Sequence, residues 1–168
     1  MKVVIRFAVL SLFLTLYGCK YYSFTGISLD PRIQTFQVNF FQNRAAIVEP
    51  GIDLRFTNDL QDLILNQTSL ELVTQDGDIT YEGEITQYYI APITATSQNT
   101  AAQNRLTISV AVRFYNSFNE EEDLDQRFSF YFDYDGDAQP TGSDLDTIIE
   151  EIYLRLTQDI FNATLAKW

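Results

Sequence analysis

The side chains that most often perform enzyme chemistry are nearly missing from this sequence. It contains no histidine and one cysteine, Cys19. Histidine is the commonest general base near neutral pH and the commonest transition-metal ligand. Without it, Ser-His-Asp and Cys-His catalytic arrangements are excluded. Enzyme chemistry would have to depend on carboxylates, tyrosines or lysines, and we predict that the protein is not an enzyme and needs no cofactor.

Two glutamates are the best-placed carboxylates for catalysis. Glu82 and Glu84 are two residues apart in the alternating stretch "DITYEGEITQYYI", so both point to the same face of a strand. Glycosidases use two carboxyl groups about 5 to 9 Å apart, and this spacing fits that distance loosely. A solvated sheet face explains the same pattern, and nothing else in the sequence indicates a sugar-binding cleft.

The aspartates of "DYDGDAQPTGSD", residues 133–144, alternate as in a calcium-binding loop. An EF-hand loop requires glycine at its sixth position and a bidentate glutamate at its twelfth. Those positions hold Ala138 and Asp144, and a predicted strand rather than a helix precedes the loop. We therefore interpret the segment as a connection that leads into a helix, and we predict no metal site.

Three arginines are the candidates for recognising a phosphate group. Arg105, Arg113 and Arg127 lie in or beside predicted strands, and a guanidinium can form two parallel hydrogen bonds to a phosphate. Arg105 ends the polar segment 91–105, whose length is typical of a functional loop, although a simple hairpin tip is an equal alternative. The net charge of the chain is −12, which repels nucleic acid, so no nucleic-acid partner is expected.

The N-terminus predicts export and lipidation. Lys2 and Arg6 precede a short apolar run, which is typical of a cleaved signal peptide, since a membrane span needs about 20 apolar residues. The peptide "LYGC" at 16–19 resembles the bacterial lipoprotein box, in which a signal peptidase cuts before a cysteine that carries a diacylglyceride. A chance cysteine after an ordinary signal peptide is the alternative. The predicted organisation is a signal peptide (1–18), a lipidated tether (19–30) and one domain (31–168).

Hydrophobic periodicity predicts the elements of the domain. "IQTFQVNFF" alternates with Phe40 on its apolar side, as a half-buried strand does. An amphipathic helix follows over roughly 51–67, and Asp76-Gly77 predicts a tight turn between "SLELV" and the next strand. "LTISVAVRFY" and "RFSFYFDY" alternate in the same way, and Ser143 is predicted to cap a last helix.

Each predicted strand has only one apolar face. A sheet of this kind needs one covering layer, which two amphipathic helices can supply. The predicted fold is therefore an α+β two-layer sandwich, with two helices packed on one face of a mostly antiparallel, mixed sheet of about four strands. The other face of the sheet is rich in Thr, Ser, Glu and Tyr, and we expect it to face solvent or a partner.

Six segments distributed over the chain carry a resemblance to a known family. In order, and in addition to Cys19, they are "YSFTG" (22–26), "QTSLELV" (67–73), "YEGEITQY" (81–88), "NRLTISVAVRFYN" (104–116), "RFSFYFDYD" (127–135) and "DIFNATLAKW" (159–168). Together they resemble the LptE-like lipopolysaccharide-assembly lipoproteins of Bacteroidetes. The resemblance covers essentially the whole mature chain, and it depends on the conjunction rather than on one diagnostic motif.

The resemblance implies a function without catalytic residues. LptE-like proteins are lipid-anchored to the outer membrane, face the periplasm, and plug the LptD β-barrel that inserts lipopolysaccharide into the outer leaflet. Their fold is two helices on a sheet of about four strands. Better-studied relatives bind lipopolysaccharide phosphates through basic residues, which makes Arg105, Arg113 and Arg127 the candidates here. A lipoprotein of another envelope complex, or one that binds glycan at the cell surface, is the alternative.

Overall fold

The structure is a computed structural model that describes residues 29–47, 49–93, 103–136 and 139–166. The predicted signal peptide and Cys19 lie outside these ranges, as does nearly all of the predicted tether. Signal cleavage and lipidation therefore stay predictions.

Two helices and six strands make up the described part of the chain. The predicted helix at 51–67 is confirmed to within one residue. In chain order the elements are β1 (Thr35–Val38), β2 (Gln42–Asn43), α1 (Ile52–Gln67), β3 (Glu71–Leu72), β4 (Ile79–Pro92), β5 (Gln103–Asn116), β6 (Leu124–Asp135) and α2 (Ser143–Thr164), with a 3₁₀ turn at Glu120–Glu122 between β5 and β6.

The strands form one mixed sheet in the order β3-β1-β4-β5-β6, with β2 also paired to β4. β1 is parallel to both β3 and β4, and β2 is parallel to β4. The long strands β4, β5 and β6 form an antiparallel meander. The α+β class is therefore confirmed. The sheet has six strands, whereas about four were predicted. The strands β2 and β3 were not predicted because they contain only two residues each, too few for alternation to be read from the sequence.

Both helices pack on one face of the sheet, and an aromatic contact joins them. The ring of Phe56 in α1 lies edge-on to Phe41 at 5.1 Å and to Tyr153 of α2 at 5.2 Å. The Tyr153 hydroxyl donates to the carbonyl oxygen of Ile52 at 3.0 Å, which fixes α2 against the start of α1. The surrounding core includes Leu60 and Ile64 of α1, Ile152, Leu156 and Ile160 of α2, and Ile108, Val110 and Val112 of β5.

The apolar side of the first strand differs from the prediction. Phe40 is 51% exposed, whereas Phe41 is fully buried. β1 ends at Val38 and the chain bends before β2, so the alternation shifts by one residue. The backbone N–H of Phe41 donates to the Thr57 hydroxyl at 3.1 Å, which holds the shifted position.

Asp76 and Gly77 form the predicted turn, but the turn does not join neighbouring strands. Asp76 has a φ of 54°, in the left-handed region that turns use. A Cβ on Gly77 would lie 2.8 Å from the backbone nitrogen of Gln37, because β1 passes directly beside the turn. β1 occupies the space between β3 and β4, so the turn belongs to a crossover and not to a hairpin.

The start of α2 also corrects a prediction. Ser143 is the first helical residue, Gly142 occupies the capping position, and no side chain there makes a capping hydrogen bond. Asp144 and Asp146 lie in the first turn, where they complement the positive end of the helix dipole as the sequence predicts. The described helices include none that is long and apolar enough to cross a membrane.

Candidate functional site

The sheet leaves one broad face uncovered by the helices, which we call the open face. It consists of the outward-pointing side chains of β4, β5 and β6. These side chains alternate along β5 with the buried Leu106, Ile108 and Val110, which point to the core. The predicted loop 91–105 is shorter than expected, since β4 continues to Pro92 and β5 begins at Gln103.

Strand register arranges the open face in rows of cross-strand neighbours. β4 shifts register between Ile85 and Gln87, so its outward residues change from even to odd numbers there. The middle of β5 contributes the small side chains of Thr107, Ser109 and Ala111, and an arginine stands on β5 on each side of them. The rows are Ala91–Arg105–Asp133, Tyr89–Thr107–Tyr131, Gln87–Ser109–Ser129, Glu84–Ala111–Arg127 and Glu82–Arg113–Asp125.

Arg105 is held by two neighbours on β6. Its Nε and Nη2 atoms donate to Oδ1 and Oδ2 of Asp133 at 2.7 and 2.9 Å. Its guanidinium carbon lies 3.6 Å from the centroid of the Tyr131 ring. The hydrogen bond from Arg105 holds the pKa of Asp133 below its usual range. Arg105 therefore already has a carboxylate in the place that a phosphate would take.

The other two candidate arginines differ from each other. Arg113 donates from Nε to Oε1 of Glu82 at 2.8 Å. Arg127 is exposed, and within the described ranges it forms no ion pair. Arg105 and Arg113 lie eight residues apart on one strand, about 26 Å at 3.3 Å per residue. All three lie on the open face, but they do not converge on one phosphate-sized site.

An aromatic row crosses the open face, and no local sequence pattern predicts it. Tyr89 of β4 and Tyr131 of β6 are 52% and 47% exposed, with Thr107 of β5 between them. At about 4.8 Å per strand, the two rings stand roughly 10 Å apart. Alternation places Tyr131 on the outward side of β6, but Tyr89 faces outward only because the register of β4 shifts between Ile85 and Gln87. Their alignment depends on the register between strands, which alternation alone does not reveal.

The charges of the open face nearly balance. Its five rows contain four carboxylates and three guanidiniums. Glu82 pairs with Arg113, and Glu84 lies 3.9 Å from Nε of Arg44. The two glutamates considered for catalysis thus lie on one solvated face, each beside an arginine. In the described ranges, no group of three or more His, Cys, Asp or Glu side chains could hold a metal ion.

Residues 33–164 match the sequence model of the LptE family, described as lipopolysaccharide-assembly. The chain belongs to the LptE family. The match covers every strand and helix of the described fold. No curated protein matches the sequence significantly.

A solved structure shares the fold at low sequence identity, and two others superpose less well. The hypothetical protein CT253 from Chlamydia trachomatis superposes with a TM-score of 0.52 at 7% identity, covering 80% of this chain and 99% of that one. The rare lipoprotein B from Shewanella oneidensis has a TM-score of 0.46 at 14% identity, with 76% and 92% covered. A minor lipoprotein from Acinetobacter baumannii has a TM-score of 0.45 at 9% identity, with 81% and 96% covered. The first of these shows a common fold.

Proposed function

We propose that this LptE-family protein is a non-enzymatic lipoprotein that plugs an LptD-like β-barrel. In this function Cys19 carries the lipid anchor in the outer membrane, the domain faces the periplasm, and the barrel inserts lipopolysaccharide into the outer leaflet. The observation that carries the proposal is the open face: a wide, polar, tyrosine-containing sheet surface that no element of the described fold covers.

The chemistry of the open face suits the inside of a barrel. The lumen of outer-membrane barrels is polar and wet, so a plug needs hydrogen-bonding side chains rather than an apolar patch. Tyrosines such as Tyr89 and Tyr131 supply apolar contact area together with a hydroxyl, a combination enriched at interfaces. The near balance of charge lets the open face approach another surface although the chain as a whole is acidic.

The open face also has the size of a protein interface. β4 and β5 are about 46 Å long and β6 is about 40 Å long, so at 4.8 Å per strand they cover roughly 600 Å². A stable interface buries about 800 Å² on each partner, so the open face and its margins provide most of what docking requires.

Arg127 is the first candidate for a lipopolysaccharide phosphate. It is exposed on the open face and has no carboxylate partner in the described part of the chain. Arg105 and Arg113 would have to exchange Asp133 and Glu82 for the phosphate. We therefore expect Arg127→Ala to reduce any lipopolysaccharide binding more than Arg105→Ala does.

The test is to identify what co-purifies with the protein. A copy with a C-terminal tag is recovered from gently solubilised outer membranes, and its partners are identified by mass spectrometry. A stoichiometric barrel of the lipopolysaccharide-export type supports the proposal. Recovery of the lipoprotein alone, or with glycan-uptake proteins, contradicts it and favours the alternative of a different envelope complex.

A matched pair of variants tests whether the open face is the docking surface. Thr107→Arg places a long charged side chain at the centre of the open face, whereas Thr147→Arg makes the same change on the exposed side of α2. We expect Thr107→Arg to lose the barrel and Thr147→Arg to retain it. Equal recovery of the barrel with both variants would remove the open face from the proposal.

A further inference from the structure

β6 is the last strand of the sheet, and one of its edges has no partner in the described fold. In β5 the odd-numbered residues bond to β4, because Ser117 N–H donates to Asp78 O at 3.0 Å and Ile93 N–H donates to Gln103 O at 2.9 Å. The even-numbered residues of β5 therefore bond to β6, whose paired residues are also even-numbered. The backbone groups of the odd-numbered residues of β6, from Asp125 to Asp135, point outward from the edge.

This edge lacks most of the features that keep sheet edges unpaired. Proteins protect an edge with proline, a bulge, a short strand or charged side chains, and β6 has charged side chains only near its two ends. β6 has twelve residues and no proline, and its register with β5 is continuous. The five residues from Phe128 to Phe132 are uncharged and rich in aromatic side chains.

The apolar layer beneath the edge is also incomplete. Phe128 is buried under the helices, but Phe130 and Phe132 are only partly buried. They point to the core side at the margin of the layer that the helices cover. A further strand with apolar side chains on this side would extend the core and bury both rings more fully.

The sequence of β6 is complementary to itself in the antiparallel direction. In "RFSFYFD", Arg127 and Asp133 stand at equal distances from Phe130 and carry opposite charges. Antiparallel pairing about Phe130 places Arg127 opposite Asp133 twice and Phe128 opposite Phe132 twice. Opposite charges and aromatic pairs across strands each stabilise a sheet. Pairing centred on Ser129 would instead place Arg127 opposite Tyr131 and would form no pair of opposite charges. Each of the two registers places Asp125 opposite another aspartate, Asp135 in the first and Asp133 in the second, so the Arg127–Asp133 pair, in which Arg127 joins Arg105 at the same carboxylate, distinguishes them.

We propose that β6 pairs with β6 of a second copy of this chain, antiparallel and centred on Phe130, to form one continuous sheet across the dimer. In this register odd-numbered residues face odd-numbered residues, so the outward backbone groups of both copies hydrogen-bond to each other. The dimer has two-fold symmetry, as most homodimers do. It is independent of the barrel and is tested without one.

The backbone hydrogen bonds are tested with a matched pair at Ser129. Ser129→Pro removes one N–H that points outward from the edge, and it leaves every backbone hydrogen bond between β5 and β6 in place. Edge strands tolerate proline at such a position. Ser129→Ala loses the same hydroxyl and keeps the N–H. The full chain is purified in detergent and its mass is measured by sedimentation velocity over a concentration series. We expect Ser129→Ala to dimerise like the parent and Ser129→Pro to have a dissociation constant at least tenfold higher.

A charge variant keeps the test valid if Ser129→Pro does not fold. Arg127→Glu puts two carboxylates opposite each other at both ends of the paired segment, whereas Arg155→Glu makes the same charge change on the exposed side of α2. Only Arg127→Glu should weaken the dimer. A parent chain that stays monomeric, or a folded Ser129→Pro variant that dimerises fully, would overturn the proposal.

Disulfide formation tests the register. Residues 127 and 133 of opposite copies would have Cα atoms about 5.5 Å apart, within the range that a disulfide spans. Copies carrying Arg127→Cys are mixed with copies carrying Asp133→Cys and oxidised, with the parent as background for Cys19. The mixture should cross-link. Copies that all carry Arg127→Cys should not cross-link, since position 127 of one copy would lie about 20 Å from position 127 of the other. Equal cross-linking of both samples would reject this register.

Discussion

At the scale of single residues, Gly83 shows how closely β4 packs. A Cβ at this position would clash with the carbonyl oxygen of Ala111 and would lie 2.7 Å from the ring of Phe41. We expect Gly83→Ala to lower the free energy of unfolding by about 1 to 3 kcal/mol, the usual cost of overpacking a core. Urea denaturation measures it. Thr80→Ala, on the opposite face of the same strand, should change the value by less than about 0.5 kcal/mol.

Two buried tyrosines make a second comparison between residues. The Tyr153 hydroxyl donates to Ile52 O, whereas the buried Tyr88 hydroxyl has no hydrogen-bond partner in the described part of the chain. We expect Tyr153→Phe to cost about 1 kcal/mol and Tyr88→Phe to cost nothing or to stabilise slightly, because only the first variant loses a buried hydrogen bond. Calorimetric unfolding measures both. Equal losses would contradict this difference.

At the scale of elements, one carboxylate joins β1 to the start of β4. Oδ2 of Asp78 accepts from the backbone N–H groups of Gln34 and Thr35 and from the Thr35 hydroxyl, each at 2.9 Å. The two backbone hydrogen bonds are the main reason that the pKa of Asp78 lies below its usual value. We expect Asp78→Ala to cost about 1 to 2 kcal/mol at pH 7.

The same hydrogen bonds give this loss a pH dependence. A carboxylate whose pKa is lowered by folding stabilises the fold above its unfolded pKa of about 4, and the stabilisation disappears as pH falls through the folded pKa. The difference between the parent and Asp78→Ala should therefore shrink below pH 4. Denaturation curves at pH 7 and pH 2.5 measure the difference in free energy of unfolding between the parent and Asp78→Ala. An equal difference at both pH values would contradict the role of the ionised carboxylate.

Elements with long local periodicity could be predicted, and elements set by distant pairing could not. The alternation of β5 and β6 and the stripe of α1 extend over many residues, so the sequence predicts them well. β1 lies between β3 and β4 only because a crossover returns the chain to it, and no local pattern encodes that order. The burial of Phe41, where the sequence predicted Phe40 to be buried, likewise follows from a bend between two short strands.

The candidate site was predictable to the same extent. Alternation predicts that Arg113 points away from the core, as the structure shows. The carboxylates that hold Arg105 and Arg113 come from neighbouring strands, and the row of Tyr89 with Tyr131 depends on a register shift within β4. Lipopolysaccharide binding by these arginines stays a prediction.

At the scale of the whole molecule, the absence of histidine determines the response to pH. Few side chains other than histidine change charge between pH 5 and 8. Burial, with a smaller contribution from Glu49, raises the pKa of Tyr88 to about 12. Because the neutral phenol is favoured in the folded state, its stabilisation is complete below the unfolded pKa of about 10 and is lost as pH rises towards 12.

We therefore expect the melting temperature to stay nearly constant from pH 6 to pH 9 and to fall below about pH 4 and above about pH 10. Burial also raises the pKa of Tyr81 and Tyr153, which contributes to the alkaline limit. Thermal unfolding followed by circular dichroism measures the profile. Tyr88→Phe should retain more stability than the parent at pH 11, and a melting temperature that changes steeply near pH 7 would contradict this account.

The two ends of the described chain meet at one end of the sheet. Leu29 and Leu165 line the same small cavity, beside Asn116 at the end of β5. In the proposed function, in which Cys19 carries the lipid, the ten residues up to Leu29 can span at most about 35 Å. In that arrangement this end of the sheet is held within about 35 Å of the lipid, and the ends of β4 and β5 at Pro92 and Gln103 lie at the opposite end of the strands, about 46 Å away. In the proposed function, a label beside Leu165 is therefore tethered closer to the lipid than a label beside Gln103.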